Sequence, residues 1–165
     1  MINRYLHVIY CDDVRNELGN KTSLIGIYGG DLFVNKIPAI IPQLCIVLSV
    51  VSDSSDPIQS LTITVTRDEQ QLAEISPTAD DLSKGRRLAQ ASRPAGAAMG
   101  VSTIGMVFKI APLAIDGPAV IRVRAQTERE ELRAAALRLD VSPAASQRTA
   151  AAASTAAVPS EAPLH

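Results

Sequence analysis

The sequence predicts an all-β protein, an antiparallel β-sandwich of about seven strands with one short helix and a disordered C-terminal tail. Three observations carry that expectation. Short stretches rich in Ile, Val and Leu alternate with polar residues and recur between turn signals. These stretches do not alternate regularly with helices, which disfavours a doubly wound α/β fold. Trp is absent and aromatics are 3% of the chain, so the core must be built from branched aliphatic side chains.

The first strand is expected over residues 5–14, with Leu6, Val8 and Tyr10 on one face and Tyr5, His7, Ile9 and Cys11 on the other. The polar turn NELGNK, with Gly19 and Asn20 able to reach positive φ, then closes a β-hairpin. The second strand, residues 22–34, contains Gly26, Gly29 and Gly30, which predict a bend or bulge before Leu32-Phe33-Val34. Residues 36–42 read as a Pro-bounded connection. Residues 44–51 (LCIVLSVV) are apolar almost throughout, so this strand should be central and covered on both faces.

A turn over 52–57 leads into residues 59–67, where Leu61, Ile63 and Val65 face in and Ser60, Thr62, Thr64 and Thr66 face out. Residues 71–75 complete a hairpin. A short helix capped by an Asp of the Asp80-Asp81 pair runs towards Ala91, and residues 92–100 read as loop. Alternation returns at 101–110. The segment PLAIDGP is read as a turn, followed by a strand over 120–126 with Arg122 and Arg124 on the wet face. The last strand is placed at 135–141. A helix over 128–137 (EREELRAAAL) competes with it, because these residues are strong helix formers.

Residues 1–142 thus form a sandwich domain. From Pro143 to His165 the chain is Ala, Ser, Thr and Pro with few large apolar side chains, too few to offset the entropy of ordering. Deleting residues 143–165 is expected to leave the melting temperature almost unaltered. A large drop would mean that the tail docks on the sandwich.

Net charge is −1 and no long block of one sign occurs. Without a basic face interleaved with aromatics, no nucleic-acid partner is expected. No segment approaches the roughly 20 apolar residues of a membrane span, and MINRYLHVIYCDD lacks the pattern of a secretory signal. The expected location is cytoplasmic, or the virion if the chain is phage-encoded. Cys11 and Cys45 could be a cross-core disulfide in a sandwich, but without an export signal two buried thiols are the better expectation.

Candidate chemistry is thin. Asp12 and Asp13 end the first strand, but neighbours in a strand point to opposite faces, so they should not converge as an acid/base pair. One of them is expected to accept backbone N–H bonds or pair with Arg15. Asp53 and Asp56, placed at the same sandwich end as the Glu17–Lys21 turn, are weak candidates for calcium. That ion wants six to eight oxygens, and turn chemistry explains the residues more simply. His7, Cys11 and Cys45 lack a fourth zinc ligand, and a core-facing histidine beside packed thiols accounts for them. Gly26 to Asp31 does not open a helix, so it is not a phosphate loop. No cofactor and no resident metal are expected.

Residues 11–32 (CDDVRNELGNKTSLIGIYGGDL) resemble the opening of a family of small bacterial β-sandwich domains of unknown function. Its members begin with an acidic-ended strand and a G-K-x-S-x-I-G hairpin, and carry a later P-x-x-x-x-G-x-Y turn. The first part matches well. In the second, Gly117 is followed by Pro118 where an aromatic is expected nearby. The resemblance covers most of residues 5–142 and none of the tail. It implies the fold and no activity.

The function expected on these grounds is a non-enzymatic interaction or assembly module with a protein partner or a homo-oligomeric state. By fold analogy alone, a phage-derived or virion-associated role fits. The alternative is an enzyme or small-ligand protein using Asp12, Asp13 and Asp31.

Overall fold

The computed structural model describes residues 3–19, 21–91 and 100–143. Its strands are β1 (Tyr5–Glu17), β2 (Lys21–Ile27), β3 (Asp31–Val34), β4 (Ala39–Ile41), β5 (Leu44–Asp53), β6 (Leu61–Arg67) and β7 (Gln70–Ile75). Helix α1 (Ala79–Ala91) follows, then β8 (Val101–Ile110), β9 (Leu113–Ile115), β10 (Ala119–Thr127), β11 (Glu131–Arg133) and β12 (Leu137–Val141).

They form two stacked layers. The first is a four-stranded antiparallel sheet in the order β2-β1-β5-β8. The second has the order β3-β12-β10-β6-β7, with β11 also pairing β10. A small ribbon pairs β4 with β9. The fold is the expected β-sandwich with one helix. One pair departs from the antiparallel rule: β12 runs parallel to β3, with Leu139 opposite Leu32.

Period-2 alternation explains the core. Leu44, Ile46, Leu48 and Val50 of β5 point between the sheets and meet Ile63 and Val65 of β6, Ile121 and Val123 of β10, and Leu137 and Leu139 of β12. Each such side chain contributes about 1.5–3 kcal/mol on burial. Thr62, Thr64, Thr66, Arg122 and Arg124 occupy the opposite face, as expected. Helix α1 lies against β8, burying Leu82 in the core, and the Arg86 guanidinium donates to the Ile58 carbonyl at 2.9 Å.

Several expectations are corrected. The second expected strand is two strands in different layers: Gly26 (φ 67°) and Gly30 (φ 115°) carry the chain from β2 to β3 across the sandwich. The connection 36–42 and the PLAIDGP turn contain β4 and β9, three residues each, whose pairing is non-local and leaves no local pattern. The helix over 128–137 does not form. Leu132 of β11 is buried and lies opposite Ala125 of β10, so tertiary pairing overrides helix propensity. The α1 cap is Thr78 rather than an Asp: its hydroxyl accepts from the Asp81 N–H (3.2 Å), while the Asp81 carboxylate accepts from the Thr78 N–H (3.1 Å), a capping box. His7 is exposed rather than core-facing. Because β1 and β5 are antiparallel, the Asp53–Asp56 loop sits by Arg4, at the opposite end from the Glu17–Lys21 turn. Residues 92–99 of the expected loop at 92–100, and the tail beyond Pro143, lie outside the described residues.

Candidate functional site

The second half of β1 carries Asp12 and Asp13, each with its own polar partners. Asp12 accepts a short hydrogen bond from the Tyr28 hydroxyl. Burial first, then Asp12, pushes the Tyr28 phenol above its ordinary pKa. Gly26 lies against Asp12 so closely that a Cβ there would stand 2.0 Å from its Oδ2. Asp13 points the other way. It accepts from the Arg15 Nε (3.2 Å), the Val14 N–H (2.9 Å) and the Gln43 Nε2 (3.1 Å), and Lys109 stands 3.9 Å away. The Arg15 guanidinium, foremost, with the Val14 N–H and the Gln43 amide, holds the Asp13 carboxyl below the ordinary range.

The two carboxylates therefore do not converge, and Asp13 both pairs with Arg15 and accepts a backbone N–H. Asp31 belongs to the other layer, where its Oδ1 accepts from the Arg138 Nε at 2.8 Å. The three candidates thus have different partners, and none of them lines the cavity of about 610 Å³ beside the β4–β9 ribbon or that of about 300 Å³ between α1 and β8. Exposed pairs of this kind contribute little, so Asp31→Asn is expected to change stability by less than about 1 kcal/mol in a urea titration.

Asp53 and Asp56 are likewise engaged by protein groups. Asp53 Oδ1 accepts from the Ser55 N–H (2.9 Å) and hydroxyl (2.6 Å), turn chemistry as expected. Asp56 faces Arg129 (2.7 Å) and Arg4 (3.5 Å). The Arg4 side chain is only 4% exposed and also holds Glu128 at 2.7 Å. Among the described residues no group of three or more His, Cys, Asp or Glu is placed to hold a metal, and no helix is long and apolar enough to cross a membrane.

Cys11 and Cys45 are directly opposite each other on adjacent strands of one sheet, not on facing sheets, and both are free and buried. Burial, then Cys45, Asp12 and Asp13, push the Cys11 thiol up, which makes it a poor nucleophile.

The outer faces of the two layers differ sharply. On the second sheet the outward positions are mainly polar, the β6 threonines with Arg122, Arg124 and Arg138, beside Val120 and the 47% exposed Phe33 of β3. On the first sheet they are the rows Tyr5–Val51–Thr103 and Ile9–Val47–Val107, mostly apolar, with the row His7–Ser49–Gly105 between them. Tyr5 is 50% and Val107 47% exposed, and Ile27 of β2, which continues the Cys11–Cys45 row, is 60% exposed. Val51, Cys11 and Cys45 are buried yet lie outside the cluster between the sheets. Sequence reasoning did not single out Ile9, Val47 or Val107. The signal was the unbroken run LCIVLSVV, which asks for cover on both faces; among the described residues only its inner face is packed by the second sheet.

Comparison with curated proteins and with solved structures returned no match. Residues 6–140, most of the 165-residue chain, match the family described as Family of unknown function (DUF6941), and the protein belongs to that family.

Proposed function

We propose that the protein is a non-enzymatic interaction or assembly module whose working surface is the outer face of the four-stranded sheet. The observation that carries this reading is the set of apolar residues Tyr5, Ile9, Val47 and Val107 on one outer face of a sandwich whose other outer face is mainly threonine and arginine, with Phe33 as its exposed aromatic. Apolar side chains gathered on one exposed face, here the row Ile9–Val47–Val107 with Tyr5 two rows away, mark a contact surface. The carboxylates that an enzyme or ligand-binding reading would use are instead engaged by Tyr28, Arg15, Gln43 and Arg138. Free thiols at Cys11 and Cys45 accord with a cytoplasmic setting.

The test is chemical cross-linking in the source cells with two matched variants. Val107→Glu on the apolar face is expected to abolish the cross-linked assembly, and Thr64→Glu on the other sheet to preserve it. Equal behaviour of the two variants would defeat the proposal.

A further inference from the structure

We propose that the outer face of the four-stranded sheet packs against the same face of a second copy of this chain, about a two-fold axis that crosses the His7–Ser49–Gly105 row. This deepens the reading above and rests on it. The register supplies the argument. His7, Ser49 and Gly105 are aligned across β1, β5 and β8. The next row towards one end is Ile9–Val47–Val107, and the next towards the other is Tyr5–Val51–Thr103.

A two-fold axis along the middle row reverses strand direction while keeping each strand over its counterpart. It therefore lays Ile9 on the other copy's Tyr5, Val47 on its Val51 and Val107 on its Thr103, and each contact occurs twice, as an isologous interface requires. The same operation brings Lys109, one row further out, over the row that holds Asp53 and Val101. Strand over strand, Lys109 then lies on the other copy's Val101 and Cys45 on its Asp53. Gly105 leaves the β8 edge of the axis row low: a Cβ built there meets only the Leu48 carbonyl oxygen, at 3.9 Å. With the small Ser49 and Gly105 on the axis row, a partner sheet can approach over β5 and β8 to the usual separation of about 10 Å, while the exposed His7 meets its own counterpart over β1.

The size of the face sets the expected strength. Three to four strands about 4.8 Å apart, spanning Val101 to Lys109 at about 3.4 Å per residue, give a flat footprint of roughly 400–550 Å² per copy. Side-chain relief enlarges this, so the pair buries on the order of 1,000 Å², the lower limit for a specific interface. A reversible dimer follows, with a dissociation constant in the micromolar range. A second copy would also supply the outer cover that the β5 sequence asks for.

The experiment is sedimentation equilibrium of the full chain from about 1 to about 100 μM, a range that brackets such a constant. A monomer–dimer equilibrium is expected. Val107→Glu and Tyr5→Glu should each weaken it at least tenfold, and Thr64→Glu should leave it unchanged. Both apolar-face positions are half exposed, and an unshifted thermal melt shows that each variant folds. Ser49→Cys, on the axis row, should cross-link between copies with a short bis-maleimide. A chain that stays monomeric throughout overturns the proposal, and so does a dimer indifferent to both glutamates, which would point to pairing through the β8 edge. If the chain is monomeric but Val107→Glu still abolishes cross-linking to a different protein in cells, the second-copy inference fails while the docking-face reading stands.

Discussion

Replacing Arg4 by alanine is expected to cost about 2–3 kcal/mol, less than the roughly 3–5 kcal/mol of breaking a fully buried ion pair, because Glu128 and Asp56 stay partly exposed. The guanidinium is almost fully enclosed and reaches Glu128, Asp56 and the Thr127 hydroxyl, tying the start of β1 to the 53–56 loop and to the end of β10. Removing it leaves two carboxylates facing each other, of which Arg129 can neutralise only part. For a domain of this size the melting point should fall by roughly 6–12 °C. The same network imposes a pH signature. Burial pushes Glu128 up, but hydrogen bonds from its own backbone, Arg4, Ser60 and Gln59 outweigh it and leave the carboxyl at about 2, against an ordinary 4.5. A depressed carboxylate contributes stability that is fully present above its unfolded value and is lost as pH falls through the folded one. The stability gap between the native chain and Glu128→Gln should therefore be widest above pH 4.5 and close towards pH 2. Solvent screening of this partly exposed group limits the gap to about 1–2 kcal/mol. Urea denaturation across that range measures it, and a gap that stays constant would contradict the account.

Gly26→Ala is expected to cost a similar amount, about 2–3 kcal/mol, for a different reason. Its φ of 67° disfavours any side chain by about 1 kcal/mol. The new methyl would also stand 2.0 Å from Asp12 Oδ2 and 2.6 Å from its Cγ. Asp12 would have to swing away and give up the Tyr28 hydroxyl, at about 1 kcal/mol or more. The two contributions separate in a double-mutant cycle. In an Asp12→Ala background the carboxylate clash is removed and the backbone cost remains with a tight 3.0 Å approach to the residue-12 Cβ, so the glycine substitution should cost about half as much. An undiminished cost would mean that Asp12 and Gly26 are not coupled.

What could be read from the residues, and what could not, divides by range. Strands whose faces alternate cleanly, such as Leu61 to Arg67 and Val101 to Ile110, are legible because burial on one side is written locally in the sequence. The β4–β9 ribbon and the β11 strand are not, since each exists only through a partner distant in the chain. The glycines at 26 and 30 announce a bend, but the move from one layer to the other depends on where β12 lies. Of the candidate site, the divergence of Asp12 and Asp13 follows from strand geometry alone. The Arg4–Glu128 network is invisible locally, because its members are far apart in sequence. The outer apolar band was half legible: the run LCIVLSVV demanded a second cover, but only the register with Ile9 and Val107 shows how wide the uncovered face is.

Hydroxyl-radical footprinting, run on dilute purified protein and again on the same chain in concentrated extract from its source cells, tests the docking face most directly. The account predicts that Tyr5, Ile9 and Val107 lose reactivity in the extract, while Phe33 on the second sheet keeps it. Protection of Phe33, with Tyr5 and Val107 as reactive as in dilute solution, would contradict it.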